Sequence, residues 1–156
     1  MTFLRQLSPT LRAEIQLAAA QSIPDSSFTA VSWDTSNFDN GSFWSAGAPT
    51  NIVIPNAGKY FICTEGHFVA NASGWRFWRI RKTVGSGTGT VASSGLTSSS
   101  QPSNETWHHI ARLFDCAAGD TFQIQCYQNS GGPLNISGSS ASPNSGAPIF
   151  VDIFRL

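Results

Sequence analysis

APIFVDIFRL, residues 147–156, is the stretch on which the fold turns. Its side chains alternate as a strand requires, with Ile149, Val151 and Ile153 on one face and Phe150, Phe154 and Leu156 on the other. Both faces are therefore apolar. A two-layer sandwich buries one face of each sheet, so the second face of this strand needs a further partner, and a second copy of the chain is the natural one. Asp152 interrupts the run between Phe150 and Phe154. Such a carboxylate is ordinarily paired with an Arg or exposed at a sheet end, and acid–base catalysis from it would need a second acid or base nearby.

The period of two extends backward from there. Strands are expected at 27–33, 42–46, 50–54, 58–70, 74–82, 88–93, 105–115, 120–128, 133–137 and 147–155. Turn residues separate them: Asn40-Gly41, Pro55 to Gly58, Ala117 to Asp120 and Asn129 to Gly132. GWRFWRIRK, 74–82, sets Trp78 and Ile80 against Phe77, Arg79 and Arg81, as in a sheet with one wet side. About ten short strands at this spacing predict an all-β sandwich or jelly roll.

One segment reads differently. In LSPTLRAEIQLAAAQS, Ser8 is a natural N-cap with Pro9 at the first helical position, and Leu11, Ile15 and Ala18 recur on one face. The pattern predicts a short helix ending at Ile23-Pro24, which either packs on its own domain or serves as a docking arm. The expected organisation is an N-terminal arm over residues 1–26 and a jelly-roll domain over 27–156. Phe3, Leu4, Leu7, Leu11 and Ile15 are the arm's candidate attachment residues.

A chain of 156 residues can bury one real core. Nine basic and nine acidic residues cancel, and no Lys or Arg run exists to follow a phosphate backbone or an anionic membrane, so neither nucleic acid nor membrane is an expected partner. No apolar run approaches membrane-span length, and Arg12 and Glu14 spoil residues 1–23 as a signal peptide. Only 12% of residues are charged, which suits a particle-surface β protein better than a cytosolic enzyme.

Chemistry-bearing constellations are sparse. Cys63, Cys116 and Cys126 show no Cys-x-x-Cys spacing, and Cys63 and Cys126 read as buried thiols within strands. His108 and His109 are adjacent and so point to opposite faces, unable to chelate one metal together. DTSNFDNG, 34–41, gathers oxygens but lacks the spacing of a calcium loop, and its Asx residues are suited to capping their own backbone. GSGTGT, 85–90, has neither the Lys nor the helix of a phosphate loop. No catalytic residue, metal or cofactor is expected. Phe77 beside Arg79 and Arg81, or Trp107 beside His108, are candidate ligand contacts able to stack on a sugar ring.

The succession FWSAGAPTNIVIPNAGKY (43–60), the Gly-Trp-Arg strand ending in RIRK, LFDCAAGDTFQIQCYQNSGGPLNI (113–136) and the closing apolar strand resembles the tumour-necrosis-factor and complement-globular-head superfamily. It is most similar to the versions carried by tailed-phage structural proteins. The resemblance covers residues 28–156 and implies a ten-stranded jelly roll that assembles as a homotrimer around its inner sheet. By it, Trp44 and the strand Ile52–Ile54 belong to the sandwich, and Tyr60, Tyr127, Phe150 and Phe154 line the trimer interior. The function it implies is a non-enzymatic virion structural protein of a tailed phage: a trimeric knob held by its N-terminal arm, as capsid decoration or a short head or tail appendage. Its partners are other capsid or tail proteins. The alternative is a receptor- or glycan-binding adhesin of a phage tail, taking a host-surface glycan.

Overall fold

In the computed structural model, which describes residues 10–84, 89–98, 105–136 and 149–156, twelve strands form two antiparallel sheets. They are β1 (Arg12–Leu17), β2 (Gln21–Ile23), β3 (Thr29–Ala30), β4 (Thr35–Asp39), β5 (Ile52–Val53), β6 (Gly58–Phe68), β7 (Trp75–Thr83), β8 (Thr90–Ser98), β9 (Thr106–Cys116), β10 (Thr121–Gln128), β11 (Leu134–Ile136) and β12 (Ile149–Arg155). The seven-stranded sheet runs β9-β6-β12-β1-β4, with β11 and β2 continuing beside β6 beyond the end of β12. The five-stranded sheet runs β3-β10-β7-β8, and β5 pairs with the start of β10.

The core between the sheets is filled by one parity of each strand. Ala13, Ile15 and Leu17 of β1, Tyr60 and Ile62 of β6, and Ile149, Val151 and Ile153 of β12 meet Trp78, Ile80, Phe122, Ile124 and Cys126 from the other sheet. Phe43, Ile52 and Ile54 are buried with them, and Trp44 packs at the margin and donates its indole N–H to the Pro49 carbonyl. The loop aromatics are thus part of the sandwich. Close approach fixes one glycine here: a Cβ at Gly66 would lie 2.5 Å from the Trp78 ring.

The N-terminal helix is corrected to strand. RAEIQL fits both periods, but β12 offers a full ladder from Arg12↔Phe154 to Leu17↔Ile149, and β4 pairs along the other edge. Local helix preference of Ala, Glu, Gln and Leu is worth only tenths of a kcal/mol per residue, whereas a central strand position buries Ala13, Ile15 and Leu17 completely or nearly so. After β1 the Asp34 carboxylate accepts the N–H groups of Ala18 and Ala19, closing off the strand. The sheet consequently begins ahead of the expected boundary at residue 27. Strand 42–46 does not form, and β4 occupies part of the segment expected to be an Asx-rich loop.

Candidate functional site

The face of the seven-stranded sheet that points away from the core is the best-formed surface feature. Register pairs lay it out in rows. One row is Arg12, Phe154, Phe61 and Leu113, across β1, β12, β6 and β9. The next is Glu14, Asp152, Cys63 and Ala111, and beyond it Gln16, Phe150, Glu65 and His109. His67 and Trp107 pair at the far end.

The first row is apolar. The rings of Phe61 and Phe154 stack in parallel, 5.5 Å apart with 4° between planes, and Leu113 beside them is 57% exposed. Arg12 turns its guanidinium over the Phe38 ring at 4.9 Å instead of covering these residues. A shallow cleft of about 490 Å³ opens at this margin between Thr10, Arg12, Asn40 and Phe154.

The middle rows carry charge. Burial first, and then the Glu14 carboxylate, push the Asp152 carboxyl up to about 6. Asp152 lies mid-sheet between two acidic or neutral neighbours, not beside an Arg or at a sheet end as expected. Glu14 Oε1 accepts hydrogen bonds from the amides of Gln16 and Asn37. Cys63 also belongs to this outer face, which corrects its expected place in the core. Tyr60, Ile62 and Thr64 take the inward parity of β6, so Cys63 must point out. Its Sγ sits 3.2 Å from His109 Nε2, yet burial, Asp152 and Glu65 all raise its pKa, leaving a thiol and not an activated thiolate.

His108 takes the inward parity and stacks on Trp78 with ring centroids 6.0 Å apart, while His109 faces out, as strand alternation demands. The oxygens of segment 34–41 serve the backbone. Asp39 accepts from the N–H groups of Gly41, Phe43 and Trp44, and Asn40 Oδ1 from that of Arg12.

The outer face of the five-stranded sheet holds a second patch. Phe28 packs edge-on against Phe77 at 5.5 Å and tilted against Tyr127 at 5.1 Å. The Arg79 guanidinium lies 3.4 Å from the centroid of Phe28 and donates twice to Gln125 Oε1.

These positions sort the expected site residues. Phe150 and Phe154 share the outer face of the seven-stranded sheet, as their parity predicted. Tyr60 does not join them: it is fully buried against Phe43 and donates its hydroxyl to the Asn56 carbonyl. Tyr127 lies on the other sheet with Phe77, so it cannot line the same surface as Phe154. Phe77, Arg79 and Arg81 stay together, whereas Trp107 stands apart from them, on the seven-stranded sheet against His67 at 4.3 Å. Ile15 is core and Leu11 packs partly buried against it, so neither is free for attachment; Phe3, Leu4 and Leu7 lie outside the described residues. Sequence reasoning passed over Phe61, Leu113, Glu14, Glu65 and Phe28. The signal for Phe61 was present in YFIC, where it has the opposite parity to Tyr60.

No protein-family model and no curated protein matches the sequence. Solved structures do match. Murine APRIL at pH 8.0 superposes with a TM-score of 0.69 at 16% identity, over 94% of this chain and 99% of that one. The Eiger TNF from S. frugiperda gives 0.70 at 12% identity, over 96% and 94%. At such low identity the likeness speaks to architecture: the chain folds as an all-β jelly-roll sandwich of the tumour-necrosis-factor type.

Proposed function

We propose that the chain is a non-enzymatic structural protein of a tailed-phage particle, a homotrimeric jelly-roll knob whose outward face on the seven-stranded sheet is the contact between copies. The observation that carries the trimer is the apolar row Phe154, Phe61 and Leu113 with Phe150 adjacent, on a sheet whose opposite face is already filled by the core. The phage assignment rests on the sequence resemblance and on Phe3, Leu4 and Leu7 ahead of β1, which supply the attachment segment now that residues 12–17 belong to the sheet. The Cys63–His109 contact supports a non-enzymatic reading, because its acidic and partly buried setting disfavours the thiolate a nucleophile needs. Sedimentation of the full chain tests the trimer, and a soluble monomer at micromolar concentration overturns it. Removing residues 1–9 tests the attachment: the shortened protein should still form trimers but no longer incorporate into particles, and normal incorporation would overturn the role given to this segment.

A second reading, an adhesin for host-surface glycan, draws on the Phe28, Phe77 and Tyr127 cluster with Arg79 beside it. Retention on a glycan array that is lost in Phe28→Ala would favour it.

A further inference from the structure

We propose that assembly of copies through the outward face of the seven-stranded sheet is coupled to proton uptake at Asp152, whose carboxyl, in a band with Glu14 and Glu65, opposes association until acid neutralises it. The inference rests on the trimer reading above and concerns its regulation.

The geometry is a band of acid across an apolar surface. Asp152 on β12 is the direct register partner of Glu14 on β1 and of Cys63 on β6, and Glu65 lies one row further along β6, opposite Phe150. Among the described residues, no cation answers Asp152 from the strands packed beside it. On β1, Arg12 is two residues from Glu14 but is stacked on Phe38. On β6, Lys59 is held by Asp115 at 2.8 Å. β9 contributes His109, opposite Glu65 and in contact with Cys63, and Ala111. β4 brings Phe38 and the Asn37 amide, while Asp39 directs its oxygens to the N–H groups of the following loop. The amides on Glu14 hydrogen-bond its carboxylate without neutralising it.

Closing such a face with further copies removes water from the carboxylates and brings like charges together. Both effects favour the protonated acid. Asp152 starts close to the neutral range, at about 6 before any contact is made, with burial as the first cause and Glu14 as the second. Contact raises it further, so the assembled state binds more protons than the separated chains. Association is accordingly strongest below the separated-chain value and weakens as pH rises through the assembled one.

The experiment is sedimentation equilibrium of the full chain from about pH 5 to about pH 8.5, for the wild type, Asp152→Asn and Glu14→Gln. In the wild type the association constant should fall about tenfold per pH unit above pH 6 for each proton taken up. Asp152→Asn should flatten that slope and keep the trimer together at the alkaline end, and Glu14→Gln should move the onset of the fall to lower pH, because it removes the charge that helps hold the Asp152 carboxyl up. A wild-type trimer equally tight at every pH, or an Asp152→Asn variant with the full wild-type slope, overturns the proton coupling while leaving the trimer in place. Monomer in all three proteins at every pH overturns the trimer reading itself and the coupling with it.

Discussion

At the scale of single residues, burial of titratable groups sets measurable consequences. His108 lies between Trp78 and Phe68, its Nε2 has no hydrogen-bond partner, and burial, reinforced by the Arg76 charge, lowers its pKa to about 4. The unfolded imidazole takes its proton near 6.5, so between these values the unfolded chain binds the extra proton and stability falls as pH falls. A shift of that size corresponds to about 3 kcal/mol in total. Asp152 acts in the opposite sense, since its raised carboxyl binds protons more readily in the folded chain over much of the same window. The two offset each other in a wild-type curve and must be separated by substitution. Thermal melts should show His108→Phe gaining on the wild type progressively below about pH 6.5; parallel curves would contradict the assignment. The thiols give a second check. Cys116 and Cys126 are buried and should react with a thiol reagent only after denaturation, whereas Cys63, half-buried on the outer face, should react in the native separated chain. Rapid native labelling of Cys126 would be incompatible with this core.

At the scale of elements, β1 decides where the sheet starts. It is an interior strand, paired with β12 on one edge and β4 on the other, so its amides have ladder partners on both sides. Hydrogen exchange across residues 12–17 should be as slow as in β10, and exchange as fast as in an unpaired segment would restore the arm in place of the strand. The helix expectation fails here for a physical reason. Ser8-Pro9 and the Leu11, Ile15, Ala18 spacing are local helix signals, while the partner that overrides them, Ile149–Arg155, lies more than 130 residues away. Where alternation was unambiguous the strands were legible: GWRFWRIRK and PIFVDIFRL have the facing residues their parity implied. The candidate site was legible only in part. Phe150 and Phe154 follow from parity within one strand, but the separation of Tyr127 from them depends on which sheet β10 joins, a long-range property. Tyr60 turns inward and Phe61 outward, a choice the sequence leaves open because a Tyr-Phe pair in a two-sided apolar strand offers either residue to either face. Asp152 was visible as an interruption, yet its neighbours Glu14 and Cys63 come from strands whose pairing no local pattern reveals.

At the scale of the whole molecule, the sandwich has two outer faces, and a pair of substitutions tells which of them meets other copies. Phe154 stacks on Phe61 in the apolar row of the seven-stranded sheet, next to Leu113 and near Leu156, which is 72% exposed. Tyr127 lies on the opposite face of the molecule, on the five-stranded sheet beside Phe28. In the proposed trimer a carboxylate at Phe154 would put an unpaired charge into each contact between copies, costing about 3–5 kcal/mol per site, and closed symmetry would repeat that cost at every interface. Because the side chain is on the outer face and not in the core, the folded chain itself should tolerate the change. Phe154→Asp should therefore yield a folded monomer with the strand content of the wild type by circular dichroism. Tyr127→Asp removes a ring contact worth about 1 kcal/mol and leaves the other sheet untouched, so it should lower the melting temperature slightly and sediment as a trimer. The reverse pattern, with Tyr127→Asp dissociating the assembly and Phe154→Asp leaving it intact, would move the contact between copies to the five-stranded sheet and make the Phe61–Phe154 row the face that meets other partners.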